Sequence, residues 1–290
     1  MGHRRLKIQQ ICKIQIQWCQ TFTLKTFFVF IFWISTKFYI ASTLRARFIS
    51  YAYILFVGCS KENFSLILTC IELLLDHQPD LNLTESQDQD SVFSCFRYFL
   101  PSNLAGATAS ESLVPLISKF LDQSPNVNHI NAHQRTLLTY TVAQGDTCLD
   151  LTRMLLNNGS LVVPAHSQRW RDRSAFTWLV RSVMTSQDLR GHHETLLLLC
   201  QNMVDIMGPE AMREHVLSTF LHLGRNANLH GPLIMDLKAR VAAFWKQPLP
   251  LLSLCRKTIR QSLGPKNTSS RTARLHLPPS LTQYLHYNHF

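Results

Sequence analysis

The chain has 290 residues, 46% of them hydrophobic and only 16% charged, so it can bury a core and falls outside the highly charged disordered class. The formal net charge of +11 is uneven: Met1 to Phe48 hold 8 Lys or Arg and no acid, Leu237 to Phe290 hold 9 and no acid, and the middle holds 12 bases against 18 acids. A nucleic-acid-binding body would carry its basic stripe on the folded unit, so nucleic acid is excluded as a partner class, and 10 Gly with 12 Pro are too few for a collagen-like or linker-dominated chain.

Residues 1–60 differ from the rest. Thr26 to Thr36 and Phe48 to Cys59 are apolar runs, but both are shorter than the roughly 20 residues a spanning helix needs, and Lys37 interrupts the first. Arg4, Arg5 and Lys7 resemble the charged start of a secretory signal, although the apolar stretch begins late for one. Two readings stand: residues 26–59 touch a membrane, or the first sixty residues lie outside the folded unit. The eight cysteines are scattered without a C-x-x-C pair, which reads as reduced thiols and a cytoplasmic compartment.

From Ser65 onward the pattern becomes helical and repetitive. Leu66, Leu68, Ile71, Leu74 and Leu75 recur at helix spacing before a polar stretch at Asp76 to Asn82. Leu113 to Leu121 runs into Asp122 to Asn128, and Leu149 to Leu156 into Asn157 to Val162. Helix, polar turn and short β-like tip recur, with Asn126 and Ser160 34 positions apart and the preceding interval 46. These spacings fit stacked helical repeats with one insertion near Pro101 to Ser110, each unit burying its face against its neighbour.

Asn131 to Gly145 (NAHQRTLLTYTVAQG) resembles an ankyrin repeat. The family's Thr-Pro-Leu-His opening is matched at Thr136 and Leu138, Leu137 stands for Pro and Thr139 for His, and Gly145 sits at a tight turn. Arg173 to Val180 resembles a further first helix, with Glu194 to Met203 as its partner. The resemblance implies an ankyrin-like helical solenoid over 61–205, followed by additional helices over 206–246. One of these spans Met207 to Leu223, with His215 and His222 seven apart; no carboxylate or thiol is spaced to complete a metal set, so a packed or solvated pair is expected and no metal.

At the C-terminus, Pro250 to Gly264 (PLLSLCRKTIRQSLG) places Leu251, Cys255 and Ile259 at i, i+4 and i+8, flanked by Leu254 and Leu263. Arg256, Lys257, Arg260 and Gln261 lie on the opposite side. Pro250 suits a helix start and Gly264-Pro265 its stop. A helix this short must dock its stripe, on its own body or on another protein.

Residues 247–290 resemble the SOCS box, and the order of segments resembles the ankyrin repeat and SOCS box family, all-α with a small three-helix C-terminal box. The resemblance implies an elongin-binding half at Pro250, Leu251, Leu254, Cys255, Ile259 and Leu263, where the Leu enters an elongin C pocket and the Cys meets a close contact. It implies a cullin-binding half at Leu275, Leu277, Pro278, Leu281, Tyr284 and Leu285, with His276 in place of the family's first Pro. The implied partners are elongin B/C, a cullin with its RING subunit, and a protein substrate held by the repeats. Arg169, Trp170, Arg171 and Trp178 are substrate anchors by residue type, with core filling the alternative for both Trp.

No G-x-S-x-G elbow, phosphate-binding Gly loop, H-E-x-x-H or kinase signature is present, so a non-catalytic adaptor without cofactors is expected. The alternative from another class is a membrane-tethered repeat scaffold whose basic ends contact anionic lipid.

Overall fold

The computed structural model describes residues 68–69, 71–72, 75, 100, 108–123, 126–131, 133–163, 174–224, 231–246, 250–264 and 268–288. The apolar runs before Ser60 and the anchors Arg169, Trp170 and Arg171 therefore lie outside the described residues. The α-helices among the described residues are α1 (Thr108–Asp122), α2 (Leu137–Ala143), α3 (Leu149–Asn157), α4 (Ala175–Ser186), α5 (His193–Met207), α6 (Pro209–Gly224), α7 (Pro232–Lys246), α8 (Leu251–Leu263), α9 (Thr268–Ala273) and α10 (Pro279–Leu285). No strand occurs among the described residues, and the expected β-like tips at 126–128 and 158–162 are turns and bends, while the one at 76–82 lies outside the described residues.

α2 and α4 each open on the same local device. Thr136 and Ser174, both extended, accept the amide of the residue three positions on (Thr139 N at 3.4 Å, Thr177 N at 3.0 Å), satisfying donors that a helix start otherwise leaves bare. α2 packs on its successor α3 and lies directly against α4, and α4 is followed by α5. Consecutive tips are tied through Asn128, whose amide donates to Gly159 O at 2.9 Å and accepts from Leu161 N at 2.7 Å. A second tie comes from Asp146, whose two oxygens take the Glu194 and Thr195 amides at the start of α5.

α5 is the hub. Thr195, Leu196 and every residue from Leu198 to Asp205 are buried, because α3, α6, α7 and α8 all pack on it. One continuous apolar core runs from Ile71 to Val241 and takes in Tyr287 near the C-terminus. Inside it Phe176 meets His215 and Phe220 edge-on, and His215 Nε2 lies 3.1 Å from Ser174 Oγ. Burial lowers the His215 pKa to about 4, so this imidazole is a neutral packing group. Among the described residues no cluster of His, Cys, Asp or Glu could hold a metal, and no helix is long and apolar enough to cross a membrane.

Candidate protein-docking site

α8 begins and ends where its sequence dictates. Pro250 is the N-cap, its carbonyl accepting Leu254 N at 3.1 Å, and Gly264 closes the helix at φ +76°, a left-handed conformation that glycine takes without a Cβ penalty. The Gly264 amide returns to Arg260 O and Gln261 O, and the Arg271 guanidinium from α9 takes Leu263 O. The two faces of this helix have opposite fates. Its exposed side carries the large apolar groups: Leu251 is 75% exposed, Leu252 58% and Leu254 44%, with the free thiol of Cys255 beside them. Ile259 and Leu263 are half-buried further along the same stripe.

The side facing the body is polar. Arg256 is 1% exposed and its Nε donates to Asp205 Oδ2 at 2.7 Å, an ion pair sealed between α8 and α5. The same carboxylate accepts Tyr287 OH at 2.9 Å and, on its other oxygen, Gln201 Nε2 at 3.0 Å. The Arg256 guanidinium lies over the rings of Tyr284 (4.5 Å) and Tyr287 (4.8 Å), so its faces are covered by aromatics and its edge by a carboxylate. Burial dominates the Tyr287 phenol and drives its pKa far above the ordinary value.

Arg260, one turn on, ties three elements together. Nη1 donates to Asn157 Oδ1 (2.9 Å) and Leu285 O (2.8 Å), and Nη2 to Leu156 O (3.1 Å), placing a cation at the carbonyl end of α3. Asn157 Nδ2 donates to His286 O and Arg153 Nε to Tyr287 O, so His286 and Tyr287 are held along α3. Burial, then the Arg260 charge, lower the His286 pKa.

These contacts decide which way the amphipathic helix faces. An apolar stripe free to fold inward gains about 25 cal/mol per Å² on burial, yet this one points outward because two arginines on the other side are satisfied only by the body. The stripe is thus left as an exposed apolar surface on a rigid helix, the usual mark of a partner-docking site.

The second half of the segment is divided. Leu275 and Leu281 are 44% and 43% exposed and Pro278 is exposed, while Leu277 and Tyr284 are half-buried. Leu285, expected to dock a partner, is 2% exposed within this chain. Trp178, from the anchor set, is half-buried on α4, packed against the core on one side.

Residues 247–286 match the family model described as SOCS box. The C-terminal segment is a SOCS box. Its relative Protein gustavus of Drosophila melanogaster is 49% identical over 41 residues, which cover 14% of this chain and 15% of that protein. The match thus spans about 15% of that relative's length, and no solved structure matches the chain.

Sequence reasoning did not find Asp205, Asn157, Arg153 or Tyr287, on which the SOCS box is mounted. A signal existed for one of them: Asp205 is an isolated carboxylate in the apolar run LLLLCQNMVDIM, and a lone acid on a buried helix requires a cation from elsewhere.

His276 is also more than a missing proline. Its φ is +48°, and a pyrrolidine ring locks φ near −65°, so proline does not fit the backbone path found here. His276→Pro is expected to lower the stability of the full chain by about 1–3 kcal/mol, while His276→Gly is neutral or slightly stabilising. Urea unfolding of the two variants checks this, and an unchanged midpoint for His276→Pro would refute the left-handed turn.

Proposed function

We propose that this chain is the substrate-recruiting adaptor of an elongin–cullin ubiquitin ligase, its helical body holding a target protein and its SOCS box joining elongin B/C and, through a cullin, a RING subunit. The observation that carries the reading is the outward apolar stripe Leu251, Leu254 and Cys255 on a helix whose polar side is fixed to the body. Such a stripe offers aliphatic side chains to a concave apolar pocket, and Cys255 is small enough for close approach of the partner's backbone. The open residues Leu275, Pro278 and Leu281 supply the cullin-facing surface, and Leu277 and Tyr284 shape it from below.

In this assembly the chain itself is not catalytic. Ubiquitin is transferred from a conjugating enzyme on the RING subunit, and the adaptor raises the effective concentration of target lysines by tethering. The rigid mount of α8 serves that role, because a fixed angle between body and box narrows the space the target explores. The repeated caps of α2 and α4 and the Asn128 tie between successive tips support an ankyrin-like body over 61–205, with 206–246 as further helices joining it to the box at 247–290. A cytoplasmic location follows from those partners.

Leu251→Asp provides the test. A central aliphatic anchor of an interface is worth 2 kcal/mol or more, so recovery of elongin B/C with the full chain is expected to fall about 30-fold. The thermal midpoint stays where it was, since the side chain is 75% exposed. Elongin recovery that survives Leu251→Asp, or is absent from the unsubstituted chain, refutes the adaptor reading.

A further inference from the structure

Away from the SOCS box, the paired first helices α2 and α4 bring a second group of side chains together. Arg135 immediately precedes the N-cap of α2, Tyr140 lies on α2, and Trp178 and Arg181 lie on α4. The Arg135 guanidinium carbon sits 3.5 Å from the centroid of the Trp178 indole and 5.2 Å from that of Tyr140, and Arg181 reaches the same indole at 5.1 Å. The backbone around Arg135 is fixed. Buried Asn131 accepts the Arg135 amide on Oδ1 at 3.1 Å, returns its own amide to Arg135 O at 3.0 Å, and donates Nδ2 to Tyr140 OH at 3.1 Å. One asparagine therefore positions both the cation and one of its aromatic supports.

A guanidinium stacked this way spends its faces on rings and keeps its five N–H donors in the plane between them. No acceptor among the described residues takes the Arg135 side chain, and it is half-exposed. Two capping acids of the same helix pairs are committed elsewhere: Asp146 to the start of α5, and Asp188 to the amides of Arg190 and Gly191. A carboxylate laid against the Arg135 edge gains two parallel N–H···O bonds. The middle of the chain is acidic by composition, 12 bases against 18 acids, so this basic-aromatic patch is a local exception on a surface that disfavours polyanionic nucleic acid.

We propose that Arg135, Tyr140, Trp178 and Arg181 form the recognition point for an acidic protein segment, a Glu or Asp carboxylate bidentate on Arg135 with the residue next to it lying along the rings. This rests on the adaptor reading, and it names the chemistry of the target's recognised segment: carboxylate beside apolar or aromatic.

The test uses the full chain and three fluorescent probes: an alternating Glu-Leu decapeptide, its Gln-Leu counterpart, and a ten-residue oligothymidylate. Saturable binding of the Glu peptide alone is expected, weakened about 10- to 100-fold by Arg135→Gln and nearly as much by Arg135→Lys, which keeps charge but not the planar fork. Arg135 lies far from the SOCS box in sequence, and elongin B/C recovery measured on the same samples is expected to be unchanged, which also reports that the variants fold. Equal binding of the Gln peptide, binding unaffected by Arg135→Gln, or oligothymidylate binding that the Glu peptide displaces would each overturn the proposal. Arg135-dependent binding of the Glu peptide by a chain that recovers no elongin supports this site and refutes only the adaptor reading.

Discussion

Arg256→Met in the full chain is expected to cost about 3–5 kcal/mol of stability, because it leaves the Asp205 carboxylate buried without its cation. The size of the effect comes from the seal. Both side chains of the pair are at most 2% exposed, water cannot replace the missing partner, and the Tyr287 hydroxyl and the Gln201 amide together do not neutralise a full charge. Asp205→Leu is expected to be as damaging, since it strands a guanidinium between two tyrosine rings. The double variant separates the pair's own contribution from the penalty of breaking it: with both charges gone, its loss falls short of the summed single losses by about 0.5–3 kcal/mol. Urea unfolding of the four proteins completes the cycle. A neutral Arg256→Met would mean that α8 is not docked through this pair, and with it would go the explanation for the outward apolar stripe. The prediction also separates the two sides of one helix. Leu251→Asp is expected to weaken the proposed partner capture in a stable protein, whereas Arg256→Met is expected to damage the protein that presents the surface.

The C-terminal helix itself was legible in the sequence. Pro250, Gly264 and the i, i+4, i+8 apolar series place its ends and its stripe, and the observed helix Leu251–Leu263 has those bounds. Its orientation was not legible. An amphipathic pattern distinguishes two faces without saying which one a body covers, and the answer rests on residues far along the chain: Asp205 is 51 positions from Arg256, and Asn157 is 103 from Arg260. Arg256 and Arg260 stand opposite the apolar stripe in the sequence pattern, and in the fold they are the mount. The burial of Leu285 was not legible for the same reason, since a leucine at the end of a short helix gives no local sign that Arg260 reaches its carbonyl. The helix pairs of the body were visible through Thr136, Leu138 and Gly145, because caps and tight turns are set by local chemistry. The two described tips are turns, not β-like: a segment of three or four residues is too short to carry a strand signal, and the groups that fix them, such as the Asn128 amide on Gly159 and Leu161, are again tertiary.

Gly145 carries the other large expected effect, and here local sequence and tertiary packing coincide. It turns the chain from α2 into the short helical turn before α3 at φ +62°, and a Cβ built on it would lie 2.2 Å from the Gly191 carbonyl oxygen and within 3.0 Å of the His192 ring. Backbone cannot yield as a flexible side-chain tip would. The turn it would strike is itself fixed, His192 Nε2 lying 3.0 Å from Ser182 Oγ, which donates to Ala143 O at the end of α2, and Nδ1 lying 2.8 Å from Asp188 O. Next to Gly145, Asp146 caps α5, so displacing this turn also loosens the start of the hub helix. The left-handed conformation alone costs an L residue about 1 kcal/mol, and pushing two packed turns apart adds an overpacking penalty of about 1–3 kcal/mol, so Gly145→Ala is expected to lose about 2–4 kcal/mol in urea unfolding. Gly231, which has open space where a Cβ would go, is the matched control, and Gly231→Ala should stay within about 0.5 kcal/mol of the parent. Equal midpoints for the two variants would show that the α2–α3 turn does not press against the α4–α5 turn, and that the two helix pairs are joined only through their tips and the core.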